Sequence, residues 1–519
     1  MSTVAPRRSL SFVGATGVGV GAIVGGGVLA LAGVSFALSG PGAILAFALN
    51  GLVALLTVFS FSELASRFPE SGGTYTYARR VLTVEAAFGI GWVVWFASVV
   101  AAVLYALGFA VFVVPLVDLF LATVGVSPPA WLDSRFGYLL SALLALGFYS
   151  WSLMRSASGG GQWATVGKLI VFGVVIAGGA WALLDGAPAG ESISDRFRPF
   201  LSGGGTGLLQ AMGYTFIALQ GFDLIAAVGG EVRDPTRNIP RAMFAALGTA
   251  LVVYLPLLFL VVAVGSPGEP IAEAARRSPE ILIAVAAGNF IGPAGYWLVI
   301  VAGVLSMLSA LQANLLAASR FARSMAVDRT LPRGLASISP TTGSPRAAVK
   351  VTAGMVAVLL LAVPDVAAAG AMSGLIFLVS FTLVHGISYL ARVRSEDPSP
   401  FRSPLFPLIP AVGGIACLSL GLFQAIAVPA AGALAALWIA TGAILYVTRI
   451  GSSARVVDAS SEGRDPELLR LRGRTPRILV PIANPASAEA LVEVAHAMAP
   501  GGVARVILLS VLDDTAAQA

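Results

Sequence analysis

The sequence predicts an all-α protein that crosses a membrane many times and ends in a short α/β tail. Hydrophobic residues make up 57% of its 519 residues and charged residues 11%, at a mean hydropathy of +0.88. Soluble domains are about a quarter charged. The apolar residues are also gathered into blocks of about 20, long enough to cross a hydrocarbon core as helix. A transmembrane barrel would instead alternate over segments of about ten residues, and no such pattern is present.

Twelve blocks are expected, at 9–38, 41–65, 84–116, 136–154, 162–184, 205–229, 240–264, 285–318, 346–363, 368–391, 404–425 and 429–449. The third and eighth are long enough to be tilted. Arg7 and Arg8 precede the first block without a signal-peptide cleavage pattern, so the first block is expected to be a spanning helix. The net charge of +6 reflects arginines in the short loops, which points to membrane topology and not to a nucleic-acid partner. With the N-terminus inside, the inner segments through residue 402 carry eighteen basic residues and the outer loops five. That asymmetry predicts a multi-pass protein of the cell membrane with both termini cytoplasmic. Cys417 is the only cysteine, which excludes a disulfide framework and a cysteine metal site. No metal or other cofactor is expected.

Residues 1–450 are expected to form the membrane domain, 451–475 a polar linker, and 476–519 a partial βαβ unit. In that unit Arg477–Pro481 and Val503–Leu512 read as strands and Ala486–Met498 as an amphipathic helix. The run ILVPIAN at 478–484 resembles the first strand of universal stress protein domains. The resemblance covers about 40 residues and lacks the glycine-rich nucleotide motif that such domains carry late. A truncated domain, or one completed by self-association through the tail, is the expectation.

Two blocks are interrupted. The first contains Gly25-Gly26-Gly27 and the sixth Gln220-Gly221-Phe222-Asp223. Each glycine costs about 1 kcal/mol of helix propensity relative to alanine, so the triplet favours unwinding. Unwound backbone survives in a bilayer only where it lines a protected cavity, and its free groups can then hold a ligand. Glycines also serve close helix packing in membranes, the role expected of Gly17, Gly19 and Gly21. The first and sixth blocks open two five-helix sets. An odd repeat length inverts the second set, and interrupted helices at matching positions of inverted repeats point to a transporter substrate site.

Four segments, GVGAIVGGGVLALAG (19–33), FSELASRFPESGGTYTYAR (61–79), ALQGFDLIAAVGGEVRDPTRNIPRA (218–242) and SRFARSMAVDRTLP (319–332), resemble the amino acid–polyamine–organocation superfamily in order along the chain. The resemblance implies a 5+5 inverted-repeat fold with two extra helices, and an alternating-access carrier of amino acids. It implies that the substrate carboxylate meets the N–H groups of Gly25, Gly26 and Gly27 beside Ile23. The substrate ammonium would meet carbonyls of Phe216, Ile217, Ala218 and Leu219, next to Gln220. A half-helix N-terminus favours an anion, which agrees. Where relatives carry an aromatic-rich stretch before GFD this chain reads ALQ, so the side-chain pocket does not carry over.

Thirty arginines stand against two lysines, Lys168 and Lys350. Lys350 is at a helix end, whereas Lys168 is about one and a half turns into the fifth block. Arginine stays protonated, whereas a buried lysine can lose its proton. Either Lys168 snorkels to the surface, or its ammonium points inward. The resemblance implies the second: a proton carrier standing where sodium-coupled relatives hold sodium, with Ser306, Ser309 and the carbonyls of Ala22 and Ile23 as partners. Asp223 is expected either to support the unwound region or to balance Lys168. Glu63 is expected to reach the interface, His385 to pack or to relay protons, and Tyr75 and Tyr77 to belong to an interfacial belt. Proton-coupled amino acid symport is the leading expectation. Amino acid or polyamine exchange, and a nutrient sensor signalling through the tail, are the alternatives. A membrane enzyme is disfavoured, since no HExxH, paired catalytic carboxylates or nucleophile elbow is found.

Overall fold

A computed structural model of the chain describes residues 8–155, 162–185, 192–395 and 399–452, together with 454–455, 468, 471–473, 477–482, 488–498 and 505–509 of the tail. Arg7 of the topology count and much of the expected linker lie outside the described residues.

The helices follow the apolar blocks. The first block is broken into α1 (Phe12–Ile23) and α2 (Gly26–Ser39), followed by α3 (Ala43–Arg67), the amphipathic α4 (Gly73–Val81) and α5 (Val84–Thr123). Next come α6 (Arg135–Arg155), α7 (Gln162–Asp185) and the short α8 (Ile193–Arg196). The sixth block divides into α9 (Gly204–Thr215) and α10 (Asp223–Ala227), and α11 is Pro235–Val264. Then come α12 (Ile271–Arg277), α13 (Leu282–Ile291), α14 (Pro293–Val327), α15 (Arg346–Ala362), α16 (Val366–Val393), α17 (Leu408–Ala427) and α18 (Pro429–Leu445).

Among the described residues, ten helical segments are long and apolar enough to cross a membrane. One of them, Phe12–Arg67, holds two of the expected blocks, and α15 has 17 residues. Large apolar side chains such as Phe148, Ile170, Trp181, Ile426 and Val447 are exposed on the outside. Water would penalise that surface; lipid does not. The chain is a polytopic helical membrane protein.

Local chemistry sets several helix ends. The Ser11 hydroxyl accepts from Gly14 N–H (3.3 Å), Thr83 from Ala86 N–H (3.4 Å), and the Asp365 carboxylate from Ala368 N–H (2.7 Å), opening α1, α5 and α16. The eighth block is not one long tilted helix as expected. Gly292, at φ 88°, and Pro293 separate α13 from α14, because the glycine turns the chain and proline suits a first helical position. The last helix docks through Trp438, which stacks on Trp92 at 4.3 Å. The two indoles donate to each other's backbone carbonyls at 2.8 and 3.0 Å.

Three interfacial expectations are corrected. Tyr75 and Tyr77 are each 1% exposed. α4 folds back under the bundle, and the Tyr75 hydroxyl donates to Asp328 at 2.9 Å while Arg79 pairs with the same carboxylate at 3.1 Å. Glu63 is also buried: it accepts from Ser403 N–H at 3.0 Å and pairs with Arg392 at 3.4 Å.

In the tail, β1 (Arg477–Pro481) and β2 (Arg505–Leu509) pair in parallel from Arg477 opposite Arg505 to Pro481 opposite Leu509, with α19 (Ala488–Met498) between them in sequence. The expected ends of the helix and second strand, 486–487, 503–504 and 510–512, lie outside the described residues. Part of the expected linker is docked: Leu468, Leu471 and Arg472 are buried. Arg472 donates to Arg79 O at 2.9 Å, and Arg394 donates to Leu471 O at 3.3 Å.

Glu63→Ala leaves the Ser403 N–H and the Arg392 guanidinium without their buried acceptor. Thermal unfolding in detergent should show a loss of roughly 1–3 kcal/mol, the cost of an unsatisfied buried partner. An unchanged midpoint would mean that Glu63 is idle.

Candidate substrate and coupling site

The break in the first block is two residues long. α1 ends at Ile23, Val24 is extended at φ −70° and ψ 118°, and Gly25 sits at φ 118°, where a side chain is strained. The Val24 N–H still bonds to Val20 O at 2.8 Å, and on the far side Leu29 N–H bonds to Gly25 O at 3.1 Å. The N–H groups of Gly26, Gly27 and Val28 lie between them as the first turn of α2, without an acceptor among the described residues. They face the break with the positive end of the α2 dipole behind them.

The break in the sixth block has a different form. α9 passes into a 3-10 turn over Phe216–Leu219, Gln220 is extended at φ −79° and ψ 145°, and Gly221 takes φ 140°. Asp223 holds this loop, its carboxylate accepting from the Gln220 side-chain amide at 2.8 Å and from Gly221 N–H at 3.1 Å. Of its two expected roles, the structure gives Asp223 the support of the unwound region. Among the described residues no ion pair joins it to Lys168. Several of the four carbonyls expected to face the substrate already accept one bond: Ile217 O from Gln220 N–H at 3.1 Å, Ala218 O from Tyr254 at 3.2 Å, and Phe216 O within the 3-10 turn, each keeping a second lone pair.

The two breaks touch. A Cβ on Gly27 would lie 2.4 Å from Ala218 Cα, and one on Gly221 would lie 2.8 Å from the Ile23 side chain. Only glycine lets the backbones approach this closely. Tyr254, from the middle of α11 and fully buried, bridges them, its hydroxyl reaching Ile23 O at 2.6 Å and Ala218 O at 3.2 Å. Sequence reasoning missed this residue. The one available signal was a tyrosine inside an apolar run, since a buried hydroxyl needs a partner.

Lys168 is 1% exposed and does not snorkel. Its ammonium donates to Gly21 O at 2.8 Å and to the Ser309 hydroxyl at 2.9 Å. The Ser309 hydroxyl also lies 3.0 Å from Ser306 O and 3.3 Å from Gly21 O. The expected carbonyls were those of Ala22 and Ile23, and the structure corrects both. α7 crosses α1 at Gly21, where Thr165 would lie 2.7 Å from an added Cβ, so the lysine meets the carbonyl one residue earlier, while that of Ile23 serves Tyr254. Ser306 is near but not bonded to the ammonium. Its buried hydroxyl has no hydrogen-bond partner among the described residues and lies 2.2 Å from where a Gly25 Cβ would be, aimed at the break. His385 packs away from this group, its ring nitrogens 2.9 Å from Ser60 and 3.2 Å from Thr57.

The arrangement thus brings unpaired N–H donors, partly used carbonyls, an orphan hydroxyl and one ammonium to two adjoining helix breaks. Chemically it suits a small molecule with an anionic and a cationic end.

Tyr254→Phe keeps the ring and removes the bridge. About 1 kcal/mol of stability should be lost, with a lower thermal unfolding midpoint in detergent. Gly27→Ala should abolish uptake in vesicles, since its methyl group overlaps Ala218; full activity in that variant would show that the breaks are not in contact.

Comparison with known proteins identifies the family. The sequence profile of the family described as "Amino acid permease" matches residues 14–454. An uncharacterised transporter of Mycobacterium tuberculosis is 30% identical over 82% of this chain and 88% of its own length. The branched-chain amino acid permease BcaP of Bacillus subtilis is 25% identical over 80% of this chain and 87% of its own. A crystal structure of a mutant manganese transporter from Eremococcus coleocola covers 85% of this chain and 94% of that one, with a TM-score of 0.50 at 12% identity, a likeness of fold. From its first broken helix to the end of its last spanning one, this chain belongs to the amino acid permease family.

Proposed function

We propose that the protein imports an amino acid together with a proton, by alternating access, across a cell membrane whose cytoplasmic side holds both termini. The observation that carries this is the meeting of two helix breaks, one offering N–H groups and the other carbonyls. A zwitterion satisfies both. Its carboxylate takes the N–H groups of Gly26 and Gly27 at the positive end of α2, and its ammonium takes carbonyls of the Phe216–Leu219 turn. Gly25 contributes the turn that exposes those groups, and Ile23 and Gln220 flank the site. The permease name of the Bacillus relative supports the substrate class.

The coupling ion is read from Lys168. Its ammonium sits between a carbonyl of α1 and a hydroxyl of α14, ligands that would also suit a small monovalent cation. While protonated it ties α7 to both helices. On deprotonation it loses its charge and one donor, and that tie weakens. Proton release to the cytoplasm would then free α1 to move and let the substrate leave. Ser309 holds the ammonium in place, Ser306 and Ala22 line the path toward the break, and Asp223 keeps the sixth block unwound.

Purified protein in sodium-free vesicles should accumulate labelled amino acid when the lumen is alkaline and the outside acidic. In Lys168→Ala the response to the proton gradient should fall by at least roughly tenfold, the equivalent of about 1.4 kcal/mol of coupling. Uptake that requires sodium, or a Lys168→Ala variant that still follows the proton gradient, would overturn the coupling assignment.

A further inference from the structure

On the face that carries most of the basic loops lies a polar cavity of about 490 Å³, away from the helix breaks. α4 contributes Arg79 and Arg80, the loop before it Glu70, the end of α14 Arg323 and Asp328, and the tail Arg472. Among the described residues, four guanidinium groups therefore face two carboxylates. Both carboxylates are in use: Asp328 pairs with Arg79 at 3.1 Å and also accepts from Tyr75, and Glu70 pairs with Arg80.

Arg323 has no hydrogen bond or ion pair among the described residues, and its Nε is buried without a partner. Arg320, one turn earlier, is paired with Glu231 at 3.1 Å, so that carboxylate does not serve Arg323. A buried N–H without an acceptor is costly. A bound anion removes that cost.

We propose that this cavity binds a phosphoryl group, which clamps α4, the end of α14 and the docked tail residues Leu468, Leu471 and Arg472 together. The planar fork of arginine matches phosphate oxygens in bidentate fashion, and Arg323, set among three further guanidinium groups of the described lining, offers that fork to an anion. The walls come from three separate parts of the chain, so occupancy would hold the tail against α4, where Arg472 donates to Arg79 O at 2.9 Å. Two sources present this chemistry at the predicted cytoplasmic face: a soluble phosphate compound and the headgroup of an anionic lipid.

The test is thermal unfolding of the full-length chain in maltoside micelles, titrated in one arm with inorganic pyrophosphate and in the other with phosphatidylglycerol, against sodium chloride at matched ionic strength. A saturable rise in midpoint is expected in at least one arm, since a ligand of the folded state stabilises it. The half-maximal concentration should be roughly tenfold higher in Arg323→Gln, the loss of one charge-assisted contact. Arg80→Gln, at a partly exposed position, should weaken the response in the same direction. A response to pyrophosphate identifies a soluble ligand, and one confined to phosphatidylglycerol identifies a lipid headgroup; either supports the site. No shift in either arm, a shift equalled by sodium chloride, or shifts unchanged in both variants would overturn it.

Discussion

Backbone polar groups inside a bilayer must find partners within the protein, and this fold withholds some of them at one place. Between Ile23 and Gly26 the α1–α2 helix is broken, and the first N–H groups of α2 face no acceptor among the described residues. Each such group costs on the order of 1–3 kcal/mol when buried and unpaired. The bundle tolerates this only because the surrounding residues hold the break in one geometry. The proposed substrate site, the tyrosine bridge and the lysine contact all depend on it.

The supporting residues act from four directions. Tyr254 on α11 occupies the carbonyl that α1 frees at Ile23 and links it to Ala218. Asp223 supplies the acceptor that lets Gln220 and Gly221 leave the helix. Lys168 on α7 takes the carbonyl of Gly21 just before the break, and Ser309 on α14 completes that contact. A proton gained or lost at Lys168 would therefore change the bonding of α1 five residues before the first of the N–H groups proposed to hold the substrate. That short reach is a physical route by which a proton gradient would drive movement of an amino acid.

Much of this was legible in the sequence because the chemistry was rare in its setting. Three adjacent glycines and a Gln-Gly-Phe-Asp run stand out against apolar helix, and both sites are broken in the structure. Lys168 stood out among thirty arginines, and its burial follows. The missed features depend on partners remote in sequence. Tyr254 lies 231 residues from Ile23, and no local pattern links them. Tyr75, Tyr77 and Glu63 look interfacial in sequence but are buried, because α4 and the segment near Ser403 fold over them. The separation of α13 from α14 at Gly292 was concealed by apolar residues on both sides. Which carbonyl meets Lys168 was misjudged by one residue, a distance set by how α7 crosses α1 and not by either sequence alone.

The central claim is that the main chain of two broken helices recognises both charged ends of one small molecule. The most direct measurement is the thermal unfolding midpoint of the purified protein against the standard amino acids, followed by the methyl ester and the N-acetyl derivative of the best stabiliser. The free amino acid should raise the midpoint, and blocking either end should remove the effect. Equal stabilisation by the ester or the N-acetyl form would contradict the account.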